Sequence, residues 1–234
     1  MSTEKRSNAM IGKVIRGLVY FFAMPLILFA CAGTVEWWQG WLFLVTGYAA
    51  SIVSRGIVIR KHPDLAQERV NYETVENVKD WDKKLMPWVA IYLPAVIYIV
   101  AGLDKRFGWS APVPDMVNWL AWLVMLAGYA FSIWAMAENR FFSAVVRIQT
   151  ERGHAVCSSG PYAFVRHPGY ASGMLVMLTY PFILGTLWAL IPVGVSAALL
   201  LVRTKLEDQT LQAELPGYAE YAQRVRYRLI PKIW

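Results

Sequence analysis

The stretch GHAVCSSGPYAFVRHPGYASGMLVMLTYPFILGTLWALIPVGVSAALLLVR, residues 153–203, decides the fold. Its polar first part leads directly into 35 residues, 168–202, that include no Asp, Glu, Lys or Arg. As one helix these residues would extend roughly 52 Å, whereas the hydrocarbon core of a bilayer is about 30 Å thick. The sequence therefore predicts a tight helical hairpin, with its turn near Pro181, Gly185 and Pro192.

The predicted hairpin places two polar clusters on one face of the membrane. Arg166 and His167 precede the hairpin, and Arg203 and Glu207 follow its apolar part. Arg203 and Glu207 are four residues apart and share a helix face, where they form either an ordinary ion pair or a ligand site. Pro168 favours an extended His167 and a helix start, so His167 is expected to face the loop. We expect the chemistry at this junction.

The composition indicates an integral membrane protein. Of the 234 residues, 57% are hydrophobic and only 17% are charged, against about 25% charged in soluble domains. The 11 Trp and 12 Tyr residues suit the membrane interface. The net charge of +7 comes from residues between the apolar spans and in the tail, which indicates contact with anionic headgroups and no nucleic-acid partner.

Several kinds of site are not predicted. The sequence contains no GxGxxG motif after a strand, no Walker motif, no GxSxG and no HExxH. The three histidines lack the spacing of metal ligands, so no metal site is predicted. Cys31 and Cys157 are the only cysteines, and their positions indicate neither a disulfide framework nor a zinc site.

Uncharged windows predict an all-α, polytopic membrane protein. Four windows have the length of a single crossing, namely 17–35, 37–54, 85–103 and 116–137. The two hairpin arms bring the total to about six transmembrane helices, unless the arms form a partly re-entrant pair. The first window imitates a signal peptide, but it is long enough to cross the membrane and is interpreted as a retained helix.

The distribution of Lys and Arg predicts the orientation. Four such residues precede the first window, seven lie in 55–84 and four in 140–166, but only two lie in 104–115. The positive-inside rule then places both termini and the 140–166 segment in the cytoplasm. Within this topology the cytoplasmic loop 55–84 is either a helix pair on the membrane surface or a lid over the site.

The residues after the hairpin predict a cytoplasmic C-terminal helical tail. Pro216 and Gly217 mark a break between two helices. In the second helix, Tyr218, Tyr221 and Val225 recur at helical spacing and are expected to pack on the membrane surface. Two arginines are expected to meet lipid headgroups, namely Arg224 and Arg228.

Five elements occur in order: GHAVCSSGPYAFVRHPGY, the apolar hairpin, RTKLED at 203–208, GYAEYAQRV at 217–225 and RLIP at 228–231. Together they resemble the C-terminal core of the isoprenylcysteine carboxyl methyltransferase and phospholipid methyltransferase superfamily. The resemblance covers about residues 138–231. It implies a membrane enzyme that uses S-adenosylmethionine without a Rossmann domain and releases S-adenosylhomocysteine. It also divides the chain into N-terminal transmembrane helices, 1–137, and a cofactor-binding methyltransferase core, 138–234.

The resemblance also implies roles for individual residues. Glu207 would hold the methionine ammonium or help to order the site, and Arg203 would orient the acceptor. His167 or Glu207 would act as a base if the acceptor were a thiol or an amine. Asp208 stands where relatives often have a second Glu, which keeps the charge but shortens the reach. The cofactor-binding set is His154, Val156, Gly160, Tyr162, Arg166, His167, Pro168, Tyr170 and Glu207. From the sequence alone, His154 is also typical of a loop histidine bonded to backbone.

The acceptor and two other functions stay open at this point. A hydrophobic or amphipathic acceptor from the lipid bilayer is predicted, such as a prenylated cysteine carboxylate or a lipid amine, with small thiols as an alternative. RVRYRLIPKIW at 224–234 is also similar to the end of membrane NADPH-dependent sterol-type reductases, but these lack the RHPGY run at 166–170. A non-catalytic scaffold would explain the spans but not the ordered motifs. The sequence predicts no oligomeric state.

Overall fold

Long apolar helices form the frame of the molecule. The computed structural model describes residues 21–70 and 75–234, and these contain no β-strand. The first four helices are α1 (Phe21–Ala32, its described part), α2 (Trp38–Lys61), α3 (Pro63–Val70) and α4 (Asp80–Phe107). They are followed by α5 (Asp115–Glu138), α6 (Pro168–Leu184), α7 (Leu187–Glu214) and α8 (Tyr218–Arg224).

Within the described residues, four helices are long and apolar enough to cross a membrane, namely α2, α4, α5 and α7. The described part of α1 and the whole of α6 are shorter apolar helices. The prediction of an all-α membrane protein is therefore confirmed. The count of six crossings stays a prediction, and the start of the window 17–35, with the basic residues before it, lies outside the described residues.

The helices extend beyond the uncharged windows. Helix α2 continues through the basic residues to Lys61, and α4 already begins at Asp80. The segment 55–84 predicted for the cytoplasm thus includes the end of α2 and the start of α4, since Lys and Arg are good helix formers. Its bounds relative to the membrane stay a prediction. The connection between the two helices is residues 62–79, and it contains α3.

The predicted hairpin is present as α6 and α7. Its turn is at Gly185, whose φ of 67° is the left-handed conformation that glycine adopts readily, and the next amide, of Thr186, donates to the carbonyl of Pro181 at 2.9 Å. Of the three residues predicted near the turn, only Gly185 is in it. Pro181 lies inside α6, and Pro192 lies inside α7.

Polar groups from the end of α4 and from the connection after it cap the return helix. The amide of Leu187 donates to Ser110 Oγ at 2.7 Å, and that of Trp188 donates to Asp104 Oδ2 at 3.1 Å. The first amides of a helix have no partner within it, and in an apolar surrounding they must find one elsewhere. The turn of the hairpin is thereby attached to the end of α4.

Small residues let the helices approach closely. A Cβ at Gly128 of α5 would lie 2.6 Å from Val176 Cγ2 of α6, and one at Gly102 of α4 would lie 2.6 Å from the carbonyl oxygen of Leu28 of α1. Close approach at small residues is typical of packed membrane helices. The α5–α6 contact fixes the start of α6 beside the end of α5.

The tail breaks as predicted but packs differently. Helix α7 ends at Glu214, and α8 starts after Gly217, whose φ is 80°. Tyr218 and Tyr221 are buried and form a cluster with Leu215, so the prediction that they pack on the membrane surface is wrong. The prediction of a headgroup contact for Arg228 is also wrong, because its Nε donates to the buried carboxylate of Asp208 at 2.8 Å.

We expect Gly102→Ala to destabilise the protein. The added Cβ would meet backbone atoms of α1, which can shift only if the helix moves, and such overpacking costs typically about 1–3 kcal/mol. Gly194→Ala in α7 is the control, because a Cβ there has no neighbour within 4 Å. The midpoint of unfolding in detergent should fall for Gly102→Ala only. An equal midpoint for both variants would contradict the α1–α4 packing.

Candidate functional site

A cavity of about 420 Å³ lies where the 139–167 connection meets the ends of the long helices. This volume falls within the about 300–1,000 Å³ that is usual for small-molecule sites. Eight of the ten residues predicted for the site line it, namely His154, Val156, Tyr162, Arg166, His167, Tyr170, Arg203 and Glu207. The two polar clusters on either side of the hairpin thus share one cavity.

Gly160 and Pro168 are not among the lining residues. Gly160 has a φ of 54° and opens the short 3-10 turn Gly160–Ala163, which carries Tyr162. Pro168 is the first residue of α6, directly after His167 at the N-cap position. Both residues determine the local backbone conformation, which places Tyr162 and His167 at the cavity.

Asp208 is fully buried and joins both sides of the hairpin to the tail. It accepts hydrogen bonds from Arg166 Nε at 2.7 Å, Arg228 Nε at 2.8 Å and the Tyr218 hydroxyl at 3.1 Å. His167 Nε2 lies 3.3 Å from the same carboxylate. From the sequence, Asp208 was only a member of a motif. Its function as the centre of this network was missed because the Arg166 and Tyr218 partners are 42 and 10 residues away.

Arg166 fixes the tail to the cavity wall. Its Nη1 donates to the carbonyls of Val225 and Arg226, both at 2.8 Å, and its backbone amide donates to Tyr227 at 2.9 Å. Burial opposes the charge, but the carboxylate of Asp208 outweighs it and raises the pKa of Arg166. Arg166 is therefore a permanent cation that holds structure at the edge of the cavity.

Arg203 is paired with a residue that the sequence analysis did not identify. Its Nε and Nη2 donate to the two carboxylate oxygens of Asp82 at 2.8 and 3.2 Å, and Nη2 also donates to the carbonyl of Ala144 at 3.0 Å. Asp82 is fully buried and accepts the amide of Val146 at 2.7 Å. The expected alternative of an Arg203–Glu207 ion pair is not formed. Asp82 was missed because it lies among exposed charges at the start of α4.

Glu207 lines the cavity and forms no ion pair with a described basic residue. The Tyr170 hydroxyl donates to its carboxylate, and no Lys, Arg or His of the described residues forms an ion pair with it. Tyr170 lies under Arg203, whose guanidinium carbon is 5.4 Å from the ring centroid. A carboxylate that faces a cavity with only a neutral donor is suited to a cationic ligand group.

His154 is bonded to backbone, as expected for a loop histidine, which was the second interpretation from the sequence. It also lines the cavity. Its Nδ1 accepts the amide of Gln149 at 3.2 Å, and its ring lies against Phe141 with the centroids 4.7 Å apart. Burial, together with the positive charges of Arg147 and Arg152, lowers the pKa of His154 from 6.5 to about 4. The imidazole is therefore neutral at physiological pH and offers a flat, uncharged surface.

Tyr162 closes the cavity from the side of the 3-10 turn. Its hydroxyl accepts Asn139 Nδ2 at 3.2 Å, and its carbonyl accepts the Tyr221 hydroxyl at 2.7 Å. Burial raises the pKa of the Tyr162 phenol, so it stays neutral. Val156 packs beside Tyr221 in the same apolar cluster. This wall suits an uncharged aromatic group.

The membrane side of the cavity is apolar. Met86, Val89 and Ala90 of α4 line it opposite Ser132 and Met136 of α5. Val89 and Ala90 belong to the π-helical turn Trp88–Tyr92, a local widening of the helix that is frequent at functional sites. The cavity thus combines charged groups on one side with an apolar wall on the other.

We expect Asp208→Asn to destabilise the protein strongly. Removing one partner of a buried ion pair costs about 3–5 kcal/mol, and here two arginines would lose their carboxylate. Asp80→Asn is the control, because its pair with Lys83 is exposed to solvent. Thermal unfolding and proteolysis of the tail should distinguish the variants. If Asp208→Asn unfolds like the control, Asp208 is not the centre that holds the tail.

We expect His154 to contribute to the loss of stability in acid. Because its folded pKa is lowered, the unfolded chain binds the proton first, and stability is lost as the pH falls from 6.5 to about 4. In His154→Gln this contribution is absent, so its melting temperature should fall less over that range. Above about pH 7.5 the two proteins should have the same pH dependence. An equal acid loss in both would contradict the neutral, buried imidazole.

Comparison with known proteins gives a family for part of the chain. A search of curated proteins gives no match to the chain. Residues 120–213 match the model of the Isoprenylcysteine carboxyl methyltransferase (ICMT) family, which confirms the resemblance predicted from the sequence.

Proposed function

We propose that the protein is an integral membrane methyltransferase that uses S-adenosylmethionine and methylates a hydrophobic or amphipathic acceptor. The single observation that carries the proposal is Glu207, a carboxylate that lines the cavity without a basic partner among the described residues. In a segment that matches a methyltransferase family, a cationic group suits such a carboxylate as its ligand, and the methionine part of the cofactor carries an ammonium.

The residues of the cavity fit this cofactor. Glu207 would hold the ammonium, and the neutral surfaces of His154, Val156 and Tyr162 would hold the adenosine. When bound, S-adenosylmethionine supplies a methyl group on a cationic sulfonium, whose carbon–sulfur bond breaks with the electron pair left on sulfur while the acceptor forms the new bond to carbon. The protein has to align the two partners and exclude water.

Arg203 would orient the acceptor. Its contacts with Asp82 and Ala144 use Nε and Nη2, and among the described residues Nη1 has no hydrogen-bond partner. Because a carboxylate is already ionised at neutral pH, it needs only this orientation and no base. A thiol or an amine would have to lose a proton, and His167 or Glu207 would then be the base. Isoprenylcysteine-type O-methylation is therefore the reaction that requires no catalytic base from the residues present.

The position of the cavity supports an acceptor that enters from the lipid. Trp119 and Trp134 of α5 are exposed and lie about 22 Å apart along the helix, and Trp88 and Phe107 of α4 lie about 28 Å apart. Exposed aromatic pairs at this separation match the two interfaces of a bilayer. The cavity residues of α4 and α5 lie at the level of Trp88 and Trp134, near one interface.

The side of the membrane and the division of the chain are part of the proposal. The Lys and Arg distribution favours a cytoplasmic cavity with both termini inside. Residues 1–137 would form the membrane-embedded part, and 138–234 would form the cofactor-binding core. The ion pair of Asp82 with Arg203 shows that the two parts contact each other directly.

The other functions have less support. The family match gives no support to a sterol-type reductase. A scaffold without activity does not account for a cavity in which most buried charges are paired and one carboxylate is left for a ligand. Methylation of a lipid amine or a small thiol stays an alternative acceptor chemistry.

Titration of the purified protein tests the proposal. The wild type should bind S-adenosylmethionine and S-adenosylhomocysteine but not NADPH, and Glu207→Gln should weaken binding at least about tenfold, since a charged hydrogen bond is lost. Glu214→Gln is the control, because Glu214 pairs with Lys79 outside the cavity. With a methyl-labelled cofactor and a membrane extract, the wild type should label an apolar product. Binding of NADPH in place of S-adenosylmethionine would overturn the proposal.

A further inference from the structure

The cavity contains a second ionised group that forms no ion pair with any described residue. Four arginines line it, and three of them have a carboxylate at 3.5 Å or less: Arg147 has Glu68 and Glu151, Arg166 has Asp208, and Arg203 has Asp82. The fourth is Arg69, at the end of α3. No carboxylate of the described residues forms an ion pair with it, so Arg69 is the cationic counterpart of Glu207 in the same cavity.

Neutral groups hold Arg69 in place. Its Nη1 donates to the carbonyl of Phe142 at 3.3 Å and lies 3.6 Å from Met136 Sδ. Its guanidinium carbon is 5.7 Å from the ring centroid of Phe142. Burial lowers the pKa of Arg69, although Glu68 nearby raises it in part, and an arginine stays charged all the same. These contacts fix the position of the charge but do not neutralise it.

Helix α3 is attached firmly to the 139–152 part of the connection. Asp64 pairs with Arg140 at 2.8 Å and with Arg152 at 2.7 Å, and Glu68 accepts the Ser143 hydroxyl at 2.6 Å. Because these bonds involve both ends of the helix, Arg69 is presented to the cavity from a fixed support. A ligand would meet a preorganised charge.

We propose that Arg69 binds a carboxylate in this cavity. The inference rests on the proposed methyltransferase function and names the chemistry of one more ligand group. A guanidinium with free N–H groups can bind a carboxylate through two parallel hydrogen bonds, whereas it repels an amine that carries a proton. The carboxylate belongs either to the methionine part of the cofactor or to the acceptor, in which case the acceptor is an apolar acid and not a lipid amine.

The experiment separates these two sources. In Arg69→Gln, titration with S-adenosylhomocysteine and with its decarboxylated analogue tests the cofactor. Titration with an N-acetylated S-prenylcysteine and with its carboxamide tests the acceptor. Only the pair of compounds whose carboxylate contacts Arg69 should respond. In that pair, the compound with the carboxylate should bind at least about tenfold more weakly to Arg69→Gln than to the wild type, and the compound without it should bind equally to both.

Two further variants serve as controls for Arg69→Gln. Arg60→Gln removes the same charge at the exposed end of α2, outside the cavity, and should leave all four affinities unchanged. Arg69→Lys keeps the charge but not the paired hydrogen bonds, so it should show a smaller loss, and it replaces Arg69→Gln if that variant does not fold. Equal affinities of the wild type and the folded variants for both carboxylates would overturn the inference. Binding of the prenylcysteine through Arg69 without any binding of cofactor would support it and overturn the proposed function instead.

Discussion

The buried carboxylate of Asp208 is the constraint on which the rest of the structure depends. A negative charge without solvent is stable only when cations and hydrogen-bond donors surround it. Here the donors come from the residue before the hairpin, Arg166, from the tail, Arg228, and from α8, Tyr218. The hydrogen bonds to this one carboxylate therefore hold the two ends of the hairpin together and bring the tail back over them. The cavity wall formed by His167 and Tyr218 follows directly from this closure.

A second buried pair has the corresponding effect on the N-terminal half. Asp82 holds Arg203 and the amide of Val146 together, so that α4, α7 and the 139–167 connection meet at one point. Asp82, Arg228 and Tyr218 all lie outside the 120–213 segment that matches the methyltransferase family. The matched segment thus carries only part of the residues that shape the cavity. Of the remaining ones, Asp82 comes from a helix whose sequence shows little more than generic membrane character, and Tyr218 and Arg228 come from the C-terminal tail.

The sequence predicts the features that the bilayer or the local backbone dictates. Uncharged windows locate the long helices because lipid excludes charge, and Gly217 marks the break before α8 because it adopts a positive φ. The sequence does not predict whether the apolar face of a helix packs on lipid or on the protein core, because both environments favour the same side chains. Tyr218 is an example. Nor does the sequence separate Asp82 from the exposed Asp80 two residues earlier, because only the position of Arg203 in space distinguishes them.

The pairing of Arg203 also bears on how the proposed cationic methyl donor would be tolerated beside an arginine. An unpaired guanidinium would repel a sulfonium strongly in a cavity of low dielectric constant. Because Asp82 holds two nitrogens of Arg203, the pair is nearly neutral at a distance, while Nη1 keeps its directional N–H groups for an acceptor. Among the described residues that line the cavity, the charged side chains without an ion pair are then Glu207 and Arg69, on different helices. Glu207 favours the cation at its own wall, and Arg69 draws an anion towards the side formed by Met136 and Phe142.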